Sequence, residues 1–167
     1  MARGKQSKLF QVKDKVVGIA FRGPGRKMGS HRDYSEQLLD HYHHPRNVGE
    51  LSEPDAVVTV GSPHHGDVMR LSLRILQERV VEARFKVFGC AAAIAAGSMT
   101  TEMVRGRRLE EVEAITNLQV AEALGGLPET KIHCSVLAEQ ALREALADYR
   151  SRARKPPAPT AEETIRG

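Results

Sequence analysis

The sequence predicts an α+β domain, a small three-stranded antiparallel sheet with helices packed on one face. Three observations predict it. Three strand-like runs fall between Ala56 and Val87, and the short link Gln77-Glu78-Arg79 between the last two reads as a hairpin. From Cys90 onward the pattern turns helical and stays so to Tyr149. A chain of 167 residues is enough for one domain with a real core and too short for two ordinary ones.

The elements follow in order. Residues 1–32 hold nine Lys/Arg against one acidic residue, lack apolar periodicity, and read as a disordered basic arm. Two other readings stay open for it. One is a true start at Met28; the other is a transit peptide, weakened by many Lys and few Ser. Tyr34, Leu38, Leu39 and Tyr42 lie at helical spacing and predict a helix over Tyr34–His43, stopped before Pro45. Ala56–Ser62, Asp67–Leu76 and Val80–Val87 are the strands. In the second, Val68, Leu71, Leu73 and Ile75 nearly alternate with Arg70, Ser72 and Arg74. Ala91–Val104 is rich in small residues, as a closely packed helix requires. Leu109–Ile115, Val120–Leu124 and Ser135–Tyr149 complete the helical half. The last presents Val136, Leu137, Ala141, Ala145 and Tyr149 on one face. Pro156-Pro157-Ala158-Pro159 follows the body. The domain is therefore expected over 33–150, with 151–167 as a flexible tail.

The net charge of +4 is unevenly spread. The body, residues 33–150, carries twelve basic and eighteen acidic residues, so the basicity belongs to the ends. A nucleic-acid binder needs a basic stripe on the folded body, preferably with aromatics, and that class is excluded. Two cysteines do not make a disulfide scaffold, and Val16–Phe21 is too short for a signal core. No run approaches the roughly 20 apolar residues of a membrane span, so no membrane partner is expected and the cytoplasm is the default location.

Chemistry concentrates at element ends. Lys131-Ile132-His133-Cys134-Ser135 sets an imidazole beside a thiol ahead of the last helix. Cys90 sits where a strand gives way to a helix. At helix N-termini the free N–H groups and the macrodipole favour thiolate over thiol. His65 and Asp67 flank Gly66 in the turn between the first two strands. His65, Asp67, Cys90, His133 and Cys134 thus form a mixed N, O and S donor set suited to a soft or borderline metal. Spacing alone leaves the bland alternative open, two small buried cysteines and some surface histidines. His41, His43 and His44 read as caps of carbonyls at a helix end. Glu102 and Glu139 read as exposed, and Arg105, Arg107 and Arg108 as a solvated turn.

From Tyr34 to about Arg150 the chain resembles the IscU/NifU family of iron–sulfur cluster assembly scaffolds. The resemblance is carried by Tyr34-Ser35-Glu36, Asp40-His41-Tyr42 with Pro45-Arg46-Asn47, Gly66-Asp67-Val68-Met69, Phe88-Gly89-Cys90, Gly125–Pro128 and Lys131–Ser135 with Leu137-Ala138-Glu139. It implies assembly of a transient [2Fe–2S] cluster from Fe2+ and sulfur from a cysteine desulfurase, and transfer to apo-protein recipients. Some relatives hold Zn2+ in the same pocket. It also implies Cys90, His133 and Asp67 as ligands and Cys134 as both ligand and persulfide acceptor. The family's first cysteine falls where this chain has His65, an imidazole that can bind iron but cannot carry a persulfide. A frataxin-like protein and an Hsp70-type chaperone pair are further implied partners, although Glu129-Thr130 replaces the Pro-Val frequent in the chaperone-binding loop. The leading expectation is a scaffold and transfer protein, not an enzyme. Two readings compete, a zinc-binding degenerate paralogue that modulates a desulfurase and a cysteine-dependent sulfurtransferase.

Overall fold

The computed structural model describes residues 9–12, 15–18, 33–62 and 66–154, the first eight and Ser62 by backbone alone. In the basic arm, β1 (Leu9–Val12) and β2 (Lys15–Gly18) pair antiparallel, with Leu9 opposite Gly18. The expectations for the rest of the arm and for residues 155–167 lie outside the described residues.

Alternation of side chains builds the main sheet. β3 (Ala56–Ser62), β4 (Asp67–Leu76) and β5 (Arg79–Phe88) stand in that order, antiparallel throughout. Val60, Met69 and Val87 lie side by side in register, then Val58, Leu71 and Phe85, then Ala56, Leu73 and Ala83. All of these except the half-covered Val58 are buried, so one face of the sheet is a continuous apolar floor. The opposite face carries Thr59, Arg70 and Lys86 in one row. Glu50 lies over it, 2.6 Å from Arg70 and 3.2 Å from Lys86. The β4–β5 turn places Gln77 and Glu78 at φ of 50° and 59°, the left-handed pair of a two-residue type I′ hairpin. A bulge follows. Arg74 faces Glu82 while Ile75 faces Val80, which leaves Val81 as the extra residue, turned to solvent.

The helices cover the apolar face. They are α1 (Glu36–His43), α2 (Ala91–Val104), α3 (Leu109–Glu113), α4 (Asn117–Ala123) and α5 (Ile132–Arg154), with one 3-10 turn over Glu129–Lys131. α2 lies on β5, α5 on β3 and β4, α1 on α2 and α4 on α5. Small residues let α2 approach closely, as expected from its sequence. A Cβ at Gly97 would stand 2.5 Å from Cδ2 of Phe85. The last helix departs from expectation at both ends, beginning three residues earlier and running on to Arg154. Val136, expected on its packed face, is 48% exposed, while Leu137, Ala138, Ala141, Leu142, Ala145 and Leu146 turn inward. Among the described residues, no helix is long and apolar enough to cross a membrane.

Candidate metal centre

Three chain segments meet at one end of the sheet. Asp67 is the first residue of β4, Cys90 is the N-cap of α2 just after β5, and Cys134 is the third residue of α5. The two sulfurs are 3.5 Å apart. One carboxylate oxygen of Asp67 accepts the Cys90 backbone N–H at 3.2 Å, and the other lies 3.0 Å from His133 Nε2. That same nitrogen is 3.5 Å from the Cys134 sulfur. Ligand atoms of Asp67, Cys90 and Cys134 all lie within 4.8 Å of one another. His133 stands to one side of this trio, linked through Asp67 and Cys134. Cys134 is fully buried, Cys90 partly so, and the imidazole of His133 faces solvent. Two sulfurs, a carboxylate and an imidazole suit iron or zinc far better than magnesium or calcium.

Glycines leave room for the carboxylate. A Cβ at Gly89 would collide with the Oδ1 of Asp67, and one at Gly61, where φ is +88°, would collide with the Asp67 carbonyl oxygen. The aspartate is therefore seated from both sides by residues without side chains.

The thiols share one proton unequally. The hydrogen bond from the Cys134 S–H brings Cys90 down to about 6, with help from the Ala93 N–H and the Lys131 ammonium against burial and the Asp67 charge. The same bond, burial and the negative charges of Cys90 and Asp67 push Cys134 upward. The shifts run in opposite directions, so in the metal-free pair Cys90 is favoured as the thiolate and Cys134 as the thiol.

Asp67, Cys90, His133 and Cys134 are thus brought together. His65 lies outside the described residues, as does His64. Sequence reasoning passed over two contributors. Tyr34 is raised in pKa, first by burial and then by Cys90 and Cys134. Lys131 acts on both thiols as well. Both residues stood inside the quoted motifs, so the signal was present but had no chemical role attached.

Other residues read as surface groups prove structural. His41, expected to cap a carbonyl, is buried between α1 and α2, with Nδ1 2.8 Å from Ser98 Oγ. That hydroxyl also accepts the Arg46 backbone N–H at 2.9 Å, so one side chain of α2 holds both the His41 ring and the segment after α1. Glu139, expected to be exposed, is largely covered and accepts the Asn117 N–H at 2.6 Å at the start of α4.

Comparisons with known proteins give the family of the chain. Residues 33–156 match the NifU-like N-terminal domain. The chain is 51% identical over 116 residues to iron-sulfur cluster assembly scaffold protein IscU 1 of Archaeoglobus fulgidus, spanning 70% of this chain and 76% of that one. It is 50% identical over 121 residues to the scaffold protein IscU of Azotobacter vinelandii, covering 70% of this chain and 94% of the relative. Among solved structures, the N-terminal part of a nitrogen-fixing NifU-like protein from Brucella abortus shares the fold. Its TM-score is 0.59 at 21% identity, over 72% of this chain and 96% of that one.

Proposed function

The chain belongs to the NifU-like N-terminal domain family, and from that membership we propose that it is a scaffold on which an iron–sulfur cluster is assembled and from which it is passed on. The observation that carries the reading is the pair of thiols 3.5 Å apart beside a carboxylate. The protein works by holding and handing over cargo, not by a turnover of its own.

The cargo is a [2Fe–2S] cluster made from Fe2+ and sulfur delivered by a cysteine desulfurase. Cys90, Cys134, Asp67, His133 and His65 are the proposed ligands. An imidazole at position 65 donates less charge to iron than a thiolate and raises the potential of the cluster. Cys134 is the proposed persulfide acceptor. Once its proton passes to the neighbouring Cys90 thiolate, Cys134 attacks the terminal sulfur of the desulfurase persulfide, the old S–S bond breaks, and the desulfurase cysteine leaves as a thiolate. Because Cys134 is fully buried, this transfer requires its sulfur to be uncovered first. Apo-proteins receive the finished cluster. A frataxin-like protein and an Hsp70-type chaperone pair are the proposed helpers, and the cytoplasm the proposed location.

Anaerobic reconstitution with Fe2+, cysteine, a cysteine desulfurase and a dithiol reductant tests the reading. The scaffold gives a visible sulfur-to-iron charge-transfer spectrum. Tight, colourless zinc binding without any cluster would favour the zinc-holding paralogue, and catalytic sulfur transfer without metal would favour a sulfurtransferase.

A further inference from the structure

The chain has two cysteines, and the fold places them side by side. Their separation of 3.5 Å is already the near-attack distance for a displacement at sulfur. A disulfide needs about 2.05 Å, so an approach of about 1.5 Å closes the gap. One partner is the cap of α2 and the other lies in the first turn of α5, and neither thiol is bonded. No third thiol exists on the chain to compete.

We propose that this pair resolves its own persulfide, releasing sulfur at the sulfide level by closing a Cys90–Cys134 disulfide. A persulfide on Cys134 brings a reactive S–S bond to the Cys90 thiolate. That thiolate attacks the inner sulfur, the bond to the outer sulfur breaks, and the electron pair leaves with the outer sulfur as hydrosulfide, which keeps its own proton. The outer sulfur is reduced to sulfide while the two cysteines are oxidised to the disulfide, so one round balances without an external electron donor. A dithiol reductant reopens the bridge, which restores both thiolates before they hold a cluster or take another sulfur. The inference deepens the scaffold reading, on which it rests for the source of the persulfide, and it supplies the reduced sulfur that a cluster requires. With the sulfur on Cys134, as the scaffold reading has it, Cys90 is the attacking group.

The test uses the full metal-free chain under anaerobic conditions, loaded with inorganic polysulfide and freed of excess donor. The expected result is one equivalent of hydrosulfide and a protein lighter by two hydrogens, with the Cys90 and Cys134 peptides cross-linked on digestion. An unloaded control keeps both thiols. Cys90→Ser, which retains a capping side chain for α2, is expected to keep the mass of one extra sulfur on Cys134 and to release no sulfide. A wild-type protein that holds its persulfide sulfur as stably as Cys90→Ser overturns the proposal, and so does sulfide release of equal yield from Cys90→Ser. Repeating the loading with a cysteine desulfurase separates the two readings. Failure there, with resolution intact after polysulfide, counts against the scaffold reading and leaves the resolving pair standing.

Discussion

At the scale of single residues, the centre depends on atoms that are missing as much as on those present. Gly89 leaves the space that Asp67 Oδ1 fills. Gly89→Ala is therefore expected to displace the carboxylate and weaken iron or zinc binding by about tenfold or more, in the range of outer-shell changes, with both thiols untouched. Metal titration followed by thiol counting checks this. The unequal sharing of the thiol proton gives a second expectation. In the metal-free protein, alkylation by iodoacetamide modifies Cys90 first, its rate rising with pH through about 6 and then levelling, while Cys134 stays slow. Peptide mapping after brief exposure reads it directly, and Cys134 reacting first at neutral pH would reverse the assignment. His41 supplies the third. Burial, aided by Arg46, lowers its pKa below the ordinary histidine value. The unfolded chain then binds more protons than the folded one, so stability rises with pH through this group and is lost as pH falls below about 6.5. Urea midpoints between pH 5 and 7 should show this slope, and His41→Gln should flatten it.

At the scale of elements, the strands were the most legible part of the sequence. β3 and β4 begin and end where alternation predicts, because one buried face forces the period. α2 was legible from its run of small residues, whose purpose is the close approach of Gly97 to the Phe85 ring. The start of α5 was not. Pro128 and the 3-10 turn after it hide the boundary, and His133 and Cys134 lie inside the first turn instead of ahead of it. Val136 misled the periodicity, since an apolar residue at helical spacing faces solvent as readily as core when its neighbours are small. Of the centre, its members were legible because chemistry-bearing residues sit at element ends. Their mutual distances were not, since these depend on how α5 crosses β3 and β4. Caps also join elements in ways a linear pattern cannot reveal. Ser35 Oγ accepts the Leu38 N–H at 3.0 Å and donates to the Leu124 carbonyl, tying α1 to the end of α4. Ser35→Ala is expected to cost about 1–2 kcal/mol in chemical denaturation.

At the scale of the whole molecule, helices and sheet form one layer on another, and the cysteine end is where two helix starts and a strand start coincide. This placement joins two requirements of a scaffold. The sulfurs are preorganised by a packed core, and the site stays at an edge, where His133 meets solvent. The acidic body and the basic arm are separable in charge. Deleting residues 1–28 is expected to leave the thermal midpoint within about 2 °C, whereas a loss of about 5 °C or more would show that the arm packs on the body. The central claim is that an iron–sulfur cluster is built at the paired thiols, and the most direct measurement is cluster yield in thiol variants. Desulfurase-driven anaerobic reconstitution of wild type, Cys90→Ser and Cys134→Ser, followed by visible charge-transfer absorption and iron content, is predicted to give a cluster in the wild type and none that survives desalting in either variant. Equal cluster yield in both variants would contradict it.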